Sequence, residues 1–125
     1  MTVDSILTRT AKISLRPDGI LHFIYLPNVQ ESLEDAYENA RVNDRLSPGR
    51  RRPLLVDIRP MQGIDREVRA YYSSLQTITA RALLVESPVS RLIANFVIQL
   101  NKPVVPTRLF TSEAEAVVWL KGFLE

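Results

Sequence analysis

The sequence predicts an α/β fold built on a mixed, mostly parallel five-stranded sheet with about four helices, and three observations carry that expectation. From Leu54 onward, short apolar runs (Leu54-Leu55-Val56, Ala82-Leu83-Leu84-Val85, and Val104-Val105 through Leu109-Phe110) are each followed by a segment with helical spacing. Such alternation is the pattern of parallel strands layered by helices, whose sites form where strand ends meet helix starts. Nearer the start, Pro17-Asp18-Gly19 separates two extended runs. Proline presets φ and glycine supplies a positive one, so this is the turn of a β-hairpin. Finally, 125 residues at 46% hydrophobic and 24% charged suit one domain, 1–125, with a core that needs neither disulfide nor metal.

Each element follows from local pattern. Met1–Arg9 carries little periodicity and is expected to fray at its start. Lys12–Arg16 and Ile20–Leu26 are the hairpin strands, the second ended by Pro27. A first helix is expected over Ser32–Arg45, where Leu33, Ala36, Tyr37 and Ala40 share a face and Glu34, Asp35 and Glu38 lie near the acid-favouring N-terminus. Pro53–Ile58 is almost continuously apolar, as for a strand buried on both faces. A second helix is read over Asp65–Ile78, then a central strand over Arg81–Val85. Ser87-Pro88 opens a third helix, with serine as N-cap and proline in the first turn. Its apolar stripe of Val89, Leu92, Ile93, Phe96, Val97 and Leu100 reads as the core face. The last strand, Val104–Phe110, contains Pro106 and so belongs at an edge, and Ser112 to Glu115 reads as a capping box for the final helix.

Composition narrows the function classes. No apolar stretch approaches the roughly 20 residues of a membrane span, and Met1–Thr10 lacks a secretory apolar region, which makes the cytoplasm the expected compartment. The chain has no cysteine and one histidine, His22, so thiolate chemistry and His-rich metal sites are excluded within one chain. His22 alternates with Ile20 and Ile24 on the hairpin, and no serine or threonine occupies a nucleophile turn, so His22 reads as a structural or surface histidine. Neither catalysis, cofactor nor metal is expected. The net charge is only +2, but 13 of the 16 basic residues are arginine. Eight of these lie between Arg41 and Arg69, opposed there only by Asp44, Asp57, Asp65 and Glu67. Arg50-Arg51-Arg52 lacks flanking aromatic platforms and reads as solvated loop charge rather than a nucleic-acid contact.

The candidate site is the segment from Asp57 to Arg69. A strand end feeding a helix start collects free N–H groups and a positive dipole end, both suited to an anion. Asp57, Arg59, Gly63, Asp65, Arg66 and Arg69 are its candidate residues, with the arginines offering forked donors to an acidic partner segment or a small anion. The structural alternative has Asp65 capping the helix, Asp57 paired with an arginine and Gly63 supporting a turn. A second candidate is a dimer patch. Ile98 lies about 180° from Val89 and close to Ala94 on the third helix, away from the core stripe. Ala114 and Val118 would extend that patch if they too face outward.

The order of hairpin, helix and three strand–helix units resembles the STAS domain of bacterial anti-sigma factor antagonists and of sulfate-transporter tails. Leu54-Leu55-Val56-Asp57-Ile58 is similar to the strand before that family's regulatory loop, and Ile64-Asp65 to the pair just before its phosphorylated serine. A narrower resemblance, to small stand-alone SpoIIAA-like proteins, covers Arg81 to Leu120. It rests on Ala82-Leu83-Leu84-Val85 with Ser87-Pro88-Val89-Ser90-Arg91, on Asn101-Lys102-Pro103, and on Phe110-Thr111-Ser112 with Glu115-Ala116 and Trp119-Leu120. The resemblance implies a non-enzymatic regulatory module that binds a protein partner or a second copy of itself. It departs where it matters: the acceptor position is Arg66, and the glycine expected shortly afterwards is Val68. The family's phosphorylation switch is therefore not expected there. The alternative it implies is a small carrier of an apolar or amphipathic, lipid-like ligand, by kinship with CRAL/TRIO domains.

Overall fold

The computed structural model describes residues 5–125. The start of the chain, where fraying is expected, lies outside the described residues; Ser5–Leu7 forms β1. β1 pairs antiparallel with β2 (Ala11–Leu15), placing Ile6 opposite Ile13 on the buried side. This adds a sixth strand to the five expected, because three residues are too few to display a period of two. β2 pairs in turn with β3 (Leu21–Tyr25), Leu15 opposite Leu21. Gly19 adopts φ +90° in the connecting turn, and the Arg16 N–H donates to the Ile20 carbonyl at 2.9 Å.

α1 (Leu33–Leu46) opens with a reciprocal cap: Ser32 Oγ accepts from the Asp35 N–H and Asp35 Oδ2 from the Ser32 N–H. β4 (Arg52–Asp57) follows, then α2 (Arg66–Ser74). α2 stops before the expected Ile78 because Thr77-Ile78-Thr79 is β-branched and extends β5 (Ile78–Leu84) backward instead. α3 (Pro88–Gln99) is capped by Ser87 with Pro88 in its first turn. β6 (Thr107–Phe110) lies at the sheet edge, starting after Pro106, whose carbonyl accepts the Arg81 N–H at 2.9 Å. α4 (Glu113–Lys121) is capped by Ser112 Oγ accepting from the Glu115 N–H.

The sheet order is β1-β2-β3-β4-β5-β6, antiparallel through β3 and parallel from β3 to β6. Alternation along the strands divides the core in two. Ile13, Phe23, Val56, Leu83 and Val85 face the layer of α1, α2 and α3 with Val42, Ile93 and Val97. Leu55, Ala80, Ala82 and Phe110 face α4, meeting Ala116, Val117 and Leu120. The arginine triplet is tied down in its loop: Arg51 pairs with Glu125 at 2.6 Å, and Arg52 donates to Ser47 Oγ and the Gly19 carbonyl.

Helix α3 corrects one reading. Ser90, Ile93, Ala94 and Val97 are its buried residues, while Val89, Leu92, Phe96 and Leu100 are exposed. The helix is thus turned by roughly 70° from the orientation its largest apolar residues favour. Ala94 is fully buried and Ile98 packs partly against the core, so the proposed Ala94–Ile98 dimer patch is not a surface. Ala114 and Val118 do face outward, but on α4, across the sheet from α3. Ser90 explains the rotation: its hydroxyl accepts from the N–H groups of Glu86 and Ser87, which pins that side of the first turn inward.

Candidate functional site

The six candidate residues between Asp57 and Arg69 do not form one site. Asp57 ends β4 on the side of Leu55, which is the α4 face of the sheet. Arg59 grips it in a fork, Nε to Oδ1 at 2.9 Å and Nη2 to Oδ2 at 2.7 Å, while the Arg59 N–H also donates to Oδ1. The buried carboxylate raises the Arg59 pKa, with smaller contributions from Glu86 and Glu113. Both charges are therefore spent on each other. His22 lies in the same neighbourhood, feeling Glu113, Arg16, Asp57 and Arg59, and burial lowers its pKa below the ordinary imidazole value.

Arg66 and Arg69 instead sit on α2, on the opposite face of the sheet. Asp65 occupies the N-cap position of α2 yet makes no side-chain cap bond, contrary to the structural reading of it. Gly63 has no positive φ, and a Cβ there would meet nothing within 4 Å, so no geometric need for glycine exists at that turn. Arg66 is exposed. Arg69 reaches across to α3 and the loop after it: Nε donates to Asn101 Oδ1 at 2.6 Å, and the guanidinium lies 5.6 Å from the centre of the Phe96 ring. Beside Arg69, at Phe96, runs the exposed row of Val89, Leu92, Phe96 and Leu100.

Two buried features escaped the sequence reading. Glu31, only 7% exposed, accepts from Tyr25 Oη at 2.8 Å, Tyr72 Oη at 2.7 Å and Asn39 Nδ2 at 3.0 Å. Asn39 also donates to Thr10 and accepts from Thr8, so one carboxylate and one amide join β3, α1, α2 and the β1–β2 turn. Burial raises the Glu31 pKa against the three hydrogen bonds that lower it. Asn39 lies about 110° from the centre of the face expected for α1, so helical spacing gave no signal for its burial; with Ala36 and Val42 it forms the side that the fold buries. The second feature is Arg81, 4% exposed in the middle of β5, which donates through Nη2 to the Tyr72 carbonyl at 2.7 Å. Burial pushes its pKa down to about 10. Arg81 lines a cavity of about 60 Å³ between the sheet and the three-helix layer, together with Phe23, Tyr72, Ile78, Ile93 and Val97.

Among the described residues, no group of three or more acidic, histidine or cysteine side chains is placed to hold a metal ion, and no helix is long and apolar enough to cross a membrane.

Comparison with known proteins agrees with this architecture. The chain is similar to an uncharacterized protein of the DUF3478 family with a SpoIIAA-like fold from Shewanella loihica PV-4, at a TM-score of 0.57 and 12% identity, covering 95% of this chain and 92% of that one. A protein with unknown function from Arthrobacter sp. FB24 is 33% identical, with 86% of this chain and 96% of that one covered and a TM-score of 0.36. No curated protein matches. The first likeness shows a SpoIIAA-like, STAS-type fold, as the order of elements implied. A family model described as a domain of unknown function (DUF7793) matches residues 13–124, and the chain belongs to that family.

Proposed function

We propose that the protein is a non-enzymatic regulatory module that binds a partner protein through the outer face of α2 and α3. The observation that carries this reading is the row of Val89, Leu92, Phe96 and Leu100, of which Leu92 is 53% and Leu100 65% exposed. An apolar row beside arginines has the anatomy of a protein interface, where apolar anchors and guanidinium groups supply most of the binding energy. Arg66 and Arg69 lie three apart on α2 and so share a face. Neither joins an ion pair among the described residues. The occupant that complements this surface is a protein segment carrying carboxylates beside apolar side chains. Arg66 stands where the STAS resemblance places a phosphorylated serine. Arg66 has no hydroxyl to form the phosphate ester of that switch, so its positive charge toward an acidic partner is not switched in that way.

The test is a photo-cross-linking residue placed at Leu92 and, as a control across the sheet, at Val118. A partner captured from Leu92 but not from Val118, and lost in Arg66→Glu/Arg69→Glu with circular dichroism and melting unchanged, is the expected result. Capture that survives the double charge reversal, or that is equal from both positions, overturns the assignment of this surface. Linkage only to a second copy of the chain overturns the acidic partner.

A further inference from the structure

Arg81 is a charge in a place where the fold calls for an apolar side chain. It lies within β5, flanked across the sheet by β4 and β6, with Ala80, Ala82 and Leu83 beside it, all buried. Its guanidinium forms no ion pair among the described residues. Nη2 has the Tyr72 carbonyl, whereas Nη1 is buried with no hydrogen-bond partner among the described residues. The tyrosines nearest in charge, Tyr25 and Tyr72, turn their hydroxyls to Glu31 instead. A buried cation without a counter-charge is costly, and arginine does not escape the cost by losing its proton near neutrality. A leucine or methionine would fill this position at lower free energy.

The space beside it is equally specific. About 60 Å³ is several times the roughly 10–15 Å³ that one water molecule requires, and the walls are mostly apolar. Polar side chains besides Arg81 also line it, among them Thr77, Asn43, whose Oδ1 is buried without a partner, and Arg69, the residue that ties α2 to α3. An apolar chamber with a fixed cation at its sheet wall suits a molecule with one anionic end and a short hydrocarbon body.

We propose that the chamber between β5 and helices α1–α3 binds a small monocarboxylate, whose carboxylate takes the free Nη1 donor of Arg81 and whose chain lies against Tyr72, Ile78, Ile93 and Val97. The ligand supplies the counter-charge that the protein does not. Arg69 lies on the α2–α3 side of the chamber and also borders the outer face, so occupancy is positioned to affect how that helix pair is held. The chamber and the outer face otherwise use different residues, Arg81 and Arg66, and either assignment stands or falls without the other.

The test is calorimetric titration of the full chain with sodium hexanoate, with 1-hexanol as the uncharged analogue and sodium chloride as the anion control. Wild type should bind hexanoate about tenfold or more tightly than hexanol, the advantage of a charge-assisted hydrogen bond. Arg81→Met, close in length and uncharged, should erase that preference while keeping the native circular dichroism. Val97→Phe narrows the chamber without touching Arg81 and should abolish hexanoate binding. Equal affinity for hexanoate and hexanol in wild type, undiminished hexanoate binding by either variant, or no hexanoate binding at all overturns the proposal. Should Arg81→Met fail to fold, the Val97→Phe arm and the hexanoate-to-hexanol ratio of wild type decide it alone.

Discussion

The two faces of the sheet are packed by different rules. On the α4 face the strands present Ala80 and Ala82 to Ala116, so helix and sheet approach closely, and Phe110, Trp119 and Phe123 stack in series at the edge, with Arg108 over the first two rings. Every apolar residue of that cluster is conventional core. On the other face the strands present Phe23, Tyr25, Leu54, Val56 and Leu83 to three helices, and the fit is looser: a chamber remains, and Glu31, Asn39 and Arg81 are buried there. Small residues opposite one helix produce close packing, whereas large residues under several helices leave volume wherever the helices diverge. The close-packed face secures the fold, and the loose face holds Arg81, whose presence stability does not explain.

Substitutions can sharpen this contrast. The largest loss is expected for Leu120→Ala, a fully buried side chain of the α4 face, at about 3 kcal/mol by denaturant unfolding. A cost near zero would mean that face is not close-packed. Glu31→Ala should follow at about 2 kcal/mol, because the Tyr25 and Tyr72 hydroxyls lose their acceptor in a buried setting. Arg81→Met should have the opposite sign, a gain of about 1 kcal/mol, since it removes an uncompensated buried charge. The Tyr72 carbonyl keeps a donor in that variant, the Leu75 N–H at 3.3 Å. Destabilisation by Arg81→Met would show that the guanidinium is a structural strut.

The smallest effect concerns His22, the half-buried imidazole of β3. Burial is the main cause of its lowered pKa; Glu113 and Asp57 pull it up, Arg16 and Arg59 push it down. The unfolded imidazole therefore takes a proton first as pH falls. The stability His22 contributes is present above its ordinary value of about 6.5 and is lost as pH drops through the depressed native one. His22→Gln should remove that portion of the acid sensitivity when unfolding is compared at pH values on either side of about 6. An unchanged difference between the two pH values would mean the imidazole is solvated.

Local signals in the chain were read reliably where one residue dictates one conformation. Gly19 takes its positive φ in the hairpin, Ser32, Ser87 and Ser112 cap their helices, and Pro106 marks the edge strand. The candidate site was read less well. Asp57 and Asp65 are neighbours along the chain, yet Asp57 and Arg59 belong to the α4 side of the sheet while Arg66 and Arg69 belong to the other. A loop that changes layer separates what the spacing joins. On α3 the apolar arc is wider than the surface it covers, so periodicity admits several rotations, and the bonds of Ser90 with the loop select the one with Leu92 and Phe96 outward.

By itself, then, the amino-acid sequence determined the order of elements from β2 onward with their caps and turns, because these depend on interactions within a few residues, and the alternation of apolar runs with helical segments implied the mostly parallel sheet. Only the tertiary structure decided that Arg81 is buried without a counter-charge, that Glu31 gathers donors from three separate segments, and that an apolar row of α3 lies beside Arg69. Those outcomes depend on which surfaces meet, and burial is a property of the assembled layers rather than of any stretch of chain.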